Sequence, residues 1–452
     1  SKILSIIKKR KKFTFLARKI ELSLEQVREL KELKGVHIEA VAKRYYPNHE
    51  LSSQTIGFVG IDNVGLSGIE YAFDEKLRGK PKITKYVIDR KGRPIKFEST
   101  QAGSGAKDVI LSIDKDLQSI AEKALKDAVT DFGAVRGGFG VMNAETGEVL
   151  AMGNYPSFDP NTPHKSPSKN KKLSFITDPF EPGSTFKALT IASALEHKVA
   201  RPDTNYYCEL GKLRVEGHTI SEAEAKKKFE WLSVTEILQH SSNVGTTKIA
   251  FDLTYPKLKE TLKKFKIGEK TGIELAGESR GIFNDEENVS PLSLSNISFG
   301  QGVATTGIQM LSAYSAISNG GYYIKPTILK REKEKISESD KAQIIDFQTS
   351  RELKDMLVEA VEDGTGGRAR IPYFTIAGKT STAQKSDNRG GYSGYIPGFI
   401  GFPIGTKDKF TVYVYVDSPD KSKSYYGGTV AGPVFKKIAQ YILYKDRNLG
   451  NL

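Results

Sequence analysis

The chain is expected to fold as an α+β protein, an antiparallel sheet sandwiched by helices, with a separate amino-terminal module in front of it. Strand-like runs stand at both ends of the larger part, with helical periodicity between them. At 452 residues and 38% hydrophobic content the chain is long enough for two or three domains with a sizeable core. The small-residue stretch Gln101-Ala-Gly-Ser-Gly-Ala106 separates the two parts. The expected division is a non-catalytic module over 1–105, a second module over 106–446 and a tail over 447–452.

In chain order, Ser1–Glu39 is basic and then helical in pattern, with leucines at helical intervals through Leu24-Glu-Gln-Val-Arg-Glu-Leu-Lys-Glu-Leu33. Arg44-Tyr-Tyr-Pro47, Ile56-Gly-Phe-Val-Gly60, Gly65-Leu-Ser-Gly-Ile-Glu70 and Asp89-Arg-Lys-Gly-Arg-Pro94 read as turns between short strands. Val109–Ile113 reads as a strand and Leu117–Thr130 as a helix. Pro160–Lys172 is polar, lysine-rich and expected to be a mobile loop. Tyr395–Ile404 and Lys409–Asp417 read as strands, the latter alternating Phe410, Val412, Val414 and Val416 against Thr411, Tyr413 and Tyr415. A helix from Thr429 to about Lys445 closes the module.

The chemistry begins at Glu181-Pro-Gly-Ser-Thr-Phe-Lys187. Pro182 and Gly183 break what precedes them, and Ser184 to His197 repeats apolar groups at Phe186, Leu189, Ala192 and Leu195, so Ser184 opens a helix. Residues three apart share a helix face with Cβ atoms about 5–6 Å apart, so the Lys187 amine can accept the Ser184 hydroxyl proton. Backbone N–H groups at a helix start point outward, where an oxyanion can use them. The same spacing occurs at Ser5/Lys8, Ser104/Lys107, Ser112/Lys115, Ser166/Lys169, Ser168/Lys171 and Ser418/Lys421, as a lysine-rich chain produces by chance. Ser184 differs by its Pro-Gly break, its apolar helix and what lies downstream.

His240-Ser-Ser-Asn-Val-Gly245 follows the amphipathic stretch Ser233–His240 and precedes another apolar one, so it reads as a short connection between helices. Ser241 can relay a proton between Lys187 and a leaving amine, and the Asn243 carboxamide offers a peptide both a donor and an acceptor. The other reading is that Ser241 or Ser242 caps a helix and Asn243 sits in a turn. Phe374-Thr-Ile-Ala-Gly-Lys-Thr-Ser-Thr-Ala383 is a strand-like run leading into Lys379, Thr380, Ser381 and Thr382. Such an edge suits an extended peptide ending in a carboxylate, held by Lys379 and Thr382; alone, it is equally an ordinary solvated strand end.

Together these residues resemble the penicillin-binding proteins, whose serine–lysine, serine–x–asparagine and lysine–threonine–glycine motifs occur in this order. Gly140–Met152 looks like the family's first catalytic hairpin, and Asn154–Asn161 like the loop after it. Ser298-Phe-Gly-Gln-Gly302, the helix Gly307–Asn319 and Tyr425–Val434 are similar to class B segments. The segments between Arg44 and Pro94 look like the elongated pedestal that class B enzymes place below the transpeptidase module. One departure is Ser381, where the family has glycine; its side chain must fit between the strand and the helix bearing Ser184, with a modest local shift expected.

The resemblance implies a peptidoglycan D,D-transpeptidase and β-lactam target. Ser184 is then the nucleophile, Lys187 the base, Ser241 the proton relay and Asn243 a substrate contact. Lys379, Thr380, Ser381 and Thr382 form the substrate strand, and the backbone N–H groups of Ser184 and Thr382 the oxyanion hole. Burial and the Lys379 charge are expected to lower the Lys187 pKa. Arg44–Pro47, Asp89–Arg93 and Tyr425–Val434 look more like the septal, cell-division enzyme than the elongation enzyme. Divisome proteins and a glycosyltransferase are implied as partners. A β-lactamase or penicillin sensor shares the motifs, but a β-lactamase has no reason to carry a pedestal of about 100 residues.

Composition narrows the field further. The single cysteine, Cys208, excludes an intramolecular disulfide. The 6 histidines lack metal-ligand spacing, so no metal or other cofactor is expected and His240 is read as structural. Residues 1–107 hold 23 Lys+Arg against 12 Asp+Glu, a difference of +11 out of the formal +14. Such a basic stem is either a solvated surface or is drawn to anionic lipid or a carboxylate-bearing polymer. No nucleic-acid motif accompanies the charge. No apolar stretch approaches the roughly 20 residues of a membrane span. The first residue is Ser1, as in a trimmed or processed chain, and the resemblance implies an anchor ahead of it and a place at the extracytoplasmic (periplasmic) face of the inner membrane.

Overall fold

The computed structural model describes residues 5, 14–91, 93–224, 226–284, 286–287, 289–331, 336–386 and 392–446; the tail expected at 447–452 lies outside them. The chain forms two compact units, one of residues 1–49, 56–109 and 159–165, the other of residues 50–55, 110–158 and 166–452. The stretch 101–106 is not a free linker: Lys80 and Ser104 exchange backbone hydrogen bonds at 3.0 Å, which ties it into the first unit.

In the first unit, α1 (Leu24–Glu32) starts at a capping box made by Ser23 and Gln26, yet none of its residues is buried. The leucine spacing there makes a helix without making a core. Strands β1 (Ile83–Ile88) and β2 (Pro94–Gln101) form an antiparallel hairpin. Its turn is held by Asp89, whose carboxylate accepts the backbone N–H groups of Lys91 and Arg93, both at 2.8 Å. Arg44 reaches the buried Glu70 at 2.6 Å, and the Tyr46 hydroxyl accepts the Val59 N–H at 3.1 Å. The tyrosine pair and the two glycine-rich segments thus meet in one place.

The second unit is built on a five-stranded antiparallel sheet. Its strands are β3 (Arg136–Asn143), β4 (Val149–Tyr155), β7 (Thr375–Ser386), β8 (Tyr392–Ile404) and β9 (Phe410–Asp417), in the order β7-β8-β9-β3-β4. A small hairpin, β5 (Lys212–Val215) and β6 (His218–Ser221), stands apart from it. Helices α2 (Lys115–Asp131) and α8 (Gly432–Asp446) cover one face, where Leu117, Leu125, Phe435 and Ile438 share a core with Phe139, Phe399 and Val414. On the other face lies α6 (Gly307–Ser318), every residue of which is buried, as expected of a helix enclosed on all sides. Beside it is α7 (Phe347–Glu362), which packs in turn on α3 (Lys187–Glu196) and α4 (Val234–His240), while α5 (Asn243–Leu253) packs on α3.

Several elements differ from the sequence reading. Over 109–113 only Leu111 makes a strand contact, a bridge to Leu329. Pro160–Lys172, read as a mobile loop, holds two 3-10 turns, Pro163–Lys165 and Ser168–Lys171. Strand β9 lies where it was read, and all its residues are buried. That strand lies between β8 and β3 with helices on both sides, and Tyr413 and Tyr415 pack around Phe175 and Phe180. The closing helix is broken at Ala431, between the turn Gly427–Val430 and α8. Pro433 then sits in the first turn of α8, where its missing N–H costs nothing.

The far end of the sheet is pinned by a buried carboxylate. Asp417 accepts from Arg136 Nε of β3 and Lys385 Nζ of β7, both at 2.8 Å. Burial alone pushes its pKa up, but the bonds from Lys385 and Arg136 outweigh it and hold the carboxyl below its ordinary value.

Candidate active site

Ser184 lies on a 3-10 turn, Gly183–Phe186, and the α-helix begins at Lys187, one turn later than expected. Gly183 has φ +56°, and a Cβ on it would lie 3.0 Å from the Ala383 side chain, so glycine lets the turn press against β7. The segment 298–302 holds the turn from elsewhere: Gly183 N–H donates to the Gly300 carbonyl (3.1 Å), Gly302 N–H to Glu181 (2.9 Å) and the Thr190 hydroxyl to the Ser298 carbonyl (2.7 Å). The Ser184 hydroxyl is half-buried and has no hydrogen-bond partner among the described residues.

Lys187 is fully buried. Its amine donates to the Ser241 carbonyl at 2.6 Å and to Asn243 Oδ1 at 2.7 Å, and lies 3.2 Å from Ser241 Oγ. A neutral amine has two N–H groups, which the two carbonyl oxygens take; its lone pair is left for a hydroxyl. Burial brings the Lys187 pKa down to about 7, with Glu222 opposing the shift and Lys227 adding to it. Burial was anticipated; the Lys379 charge was not the second cause. Burial and Lys187 itself drive the Lys379 pKa well below its usual value, so that amine loses its proton early and exerts little field on Lys187.

The two serines of the Ser241–Asn243 stretch are placed differently, Ser241 at Lys187 and Ser242 at a helix start. Ser242 caps α5 by accepting the Gly245 N–H at 2.9 Å. Ser241 ends α4 in the left-handed conformation, φ 59°, uncommon for a residue with a Cβ. That turn aims its carbonyl and hydroxyl at Lys187. His240 is structural, as read: its ring stacks on Phe229 at 5.2 Å.

Strand β7 is at the edge of the sheet, paired only with β8 among the described residues. Thr382 stands opposite Pro397 in the register. Proline has no N–H to return, so this is a non-hydrogen-bonded pair and the Thr382 N–H and carbonyl turn to the open edge. Lys379 is fully buried and its amine has no hydrogen-bond partner among the described residues. The Thr382 hydroxyl is part-buried and accepts the Gly427 N–H at 3.2 Å. Two of the expected substrate contacts are otherwise engaged. Thr380 bonds the Thr365 hydroxyl at 2.5 Å, and Ser381 is buried with its hydroxyl turned toward Gly398.

Gly398 explains how Ser381 is accommodated. A Cβ at 398 would lie 2.7 Å from Ser381 Oγ, so the missing side chain on β8 leaves the room that the extra hydroxymethyl on β7 takes. Gly398→Ala is expected to cost about 1–3 kcal/mol in urea unfolding, and clearly less in a Ser381→Gly background. Equal costs in the two backgrounds would refute this compensation.

Sequence reading missed Glu222, Gly398, Pro397 and the way Ser298–Gly302 clamps the nucleophile turn. The Ser184 turn, a lysine held by a serine–asparagine turn and an open strand edge together fit a transpeptidase of the penicillin-binding type. The chain belongs to the class B penicillin-binding proteins: residues 137–440 match the penicillin-binding protein transpeptidase domain and residues 3–111 the penicillin-binding protein dimerisation domain. It is 34% identical to the peptidoglycan D,D-transpeptidase FtsI of Buchnera aphidicola subsp. Schizaphis graminum, over 97% of this chain and 77% of that one. It is also 34% identical to stage V sporulation protein D of Bacillus subtilis, over 92% of this chain and 67% of that one. Penicillin-binding protein 3 of Mycobacterium tuberculosis superposes with a TM-score of 0.79 at 27% identity, over 90% of this chain and 91% of that one, and has been solved with aztreonam and with ampicillin.

Proposed function

We propose that this chain is a septal-type peptidoglycan D,D-transpeptidase, a target of β-lactams, and that it works through an acyl-enzyme on Ser184. The observation that carries the reading is the buried Lys187 amine, held by Ser241 and Asn243 beside the turn that bears Ser184. The relatives named FtsI support both the reaction and the septal assignment.

Ser184 Oγ attacks the carbonyl between the last two D-alanines of a stem peptide, and its proton passes to Lys187. The open-edge N–H of Thr382 and the Ser184 N–H receive the oxyanion, each such donor being worth about 3–4 kcal/mol. The C–N bond breaks as Ser241 relays a proton from Lys187 to the departing D-alanine. A second stem peptide's amine then attacks the ester, gives its proton back through Lys187, and releases the Ser184 hydroxyl. The donor peptide lies along the β7 edge with its carboxylate at Lys379 and Thr382, and contacts Asn243. Thr380 and Ser381 shape that strand from within.

Labelling with fluorescent penicillin followed by peptide mapping tests the assignment. An intact adduct on Ser184 lasting minutes or longer supports it; rapid hydrolysis indicates a β-lactamase, and an adduct on another side chain rejects the site. The same reading carries an extracytoplasmic position at the inner membrane, with division proteins and a glycosyltransferase as partners. A sidewall distribution in cells would instead assign the elongation role.

A further inference from the structure

Glu222 follows β6 directly, and no motif of the family reading includes it. It is only 7% exposed. Oε1 accepts the Ser242 hydroxyl at 2.6 Å and Oε2 the Asn243 backbone N–H at 2.7 Å. The preceding residue, Ser221, takes the Asn243 side-chain amide on its carbonyl at 2.8 Å. The end of β6 therefore fixes which way the Asn243 amide faces, leaving Oδ1 for Lys187. Ser242 already caps α5, so a helix start alone does not need this carboxylate. Bonds to an ionised acceptor in a buried setting are about twice as strong as neutral ones.

We infer that Glu222 is a positioning residue for acylation, which clamps Ser242 and Asn243 from the end of β6 so that the Asn243 amide and the Ser241 backbone hold the Lys187 amine. The inference rests on the transpeptidase reading. Besides the uncharged Ser184, Ser241 and Asn243, the groups around Lys187 are Glu222 and Lys227 from the segment after β6, and Lys379 from β7. Cys208 lies beside Ser242, its thiol pushed up to about 11 by burial, and His240, its pKa lowered by burial, precedes the turn. Glu222 is the anion among them, and it favours the protonated amine, against burial and Lys227.

Glu222→Gln separates charge from geometry. Its carbonyl can accept the Asn243 N–H and its amide can donate to Ser242 Oγ, so the clamp persists without the negative charge. The second-order rate of Ser184 acylation by benzylpenicillin, measured against pH on the whole chain, is expected to keep its plateau but shift its midpoint down by about half a unit or more. Glu222→Ala removes the clamp and is expected to lower the plateau about tenfold or more. A folded Glu222→Ala that keeps the wild-type plateau overturns the proposal, as does a Glu222→Gln plateau that falls as far as alanine's, because the glutamine keeps the clamp. Should the alanine variant fail to fold, Glu222→Asp, too short to reach both Ser242 and Asn243, decides by the same plateau, an undiminished one overturning the proposal. Failure of the wild-type chain to acylate at Ser184 would instead remove the transpeptidase reading.

Discussion

Replacing Ser184 with alanine is expected to abolish covalent attachment of β-lactams altogether, with a change in stability of no more than about 1 kcal/mol. The asymmetry follows from the structure. The hydroxyl is half-buried and makes no hydrogen bond among the described residues, so the fold loses little when it goes. The reaction loses the hydroxyl on which the proposed acyl-enzyme forms. Cys208 does not replace it, being fully buried with its thiol pushed up to about 11. Intact-mass measurement after drug treatment, with a melting curve as control, decides the matter: residual adduct on the alanine variant rejects Ser184.

The second large effect is expected at Lys187. Arginine keeps the positive charge and the donors but never gives up its proton at working pH, so Lys187→Arg is expected to slow acylation about a thousandfold. In the wild-type chain the sign of the pH dependence follows from the depressed pKa. Below about pH 7 the amine is protonated and cannot act as base; the rate climbs as pH rises through about 7 and then levels off. An arginine variant that acylates within tenfold of wild type, with its fold intact by melting, would show that another group takes the proton.

Much of the fold was legible because periodicity reports burial. The helix at Leu117–Thr130 and the strands before Ile404 and Asp417 appear within a few residues of their expected ends. Of the candidate site, three short motifs named the parts, and the structure joins Lys187 to Ser241 and Asn243 by hydrogen bonds. What escaped depends on contacts that no local pattern encodes. Glu222, at the end of a small hairpin, reaches Ser242 across 20 residues of chain. Gly398 acquires its meaning only once β8 pairs with β7 and brings it opposite Ser381. Thr380 looked available because strand alternation says which residues share a face but not that Thr365 occupies one of them. The strand expected at 109–113 failed for the converse reason: an extended apolar run becomes a strand only with a partner, and Leu111 alone finds one.

The solitary Lys379 amine has a consequence for the pH range over which the enzyme turns over. Buried and without a hydrogen-bond partner among the described residues, it is driven toward the uncharged form, whereas the proposed role of holding a carboxylate requires it to be charged. On the proposed reading, docking of an anionic peptide end takes up a proton from bulk water, and affinity for the acyl donor is expected to weaken as the medium becomes more alkaline. Lys187 demands the opposite condition. On that reading, capture of the donor and attack upon it pull against each other, and throughput is expected to fall on both the acid and the alkaline side through two lysines in one crevice.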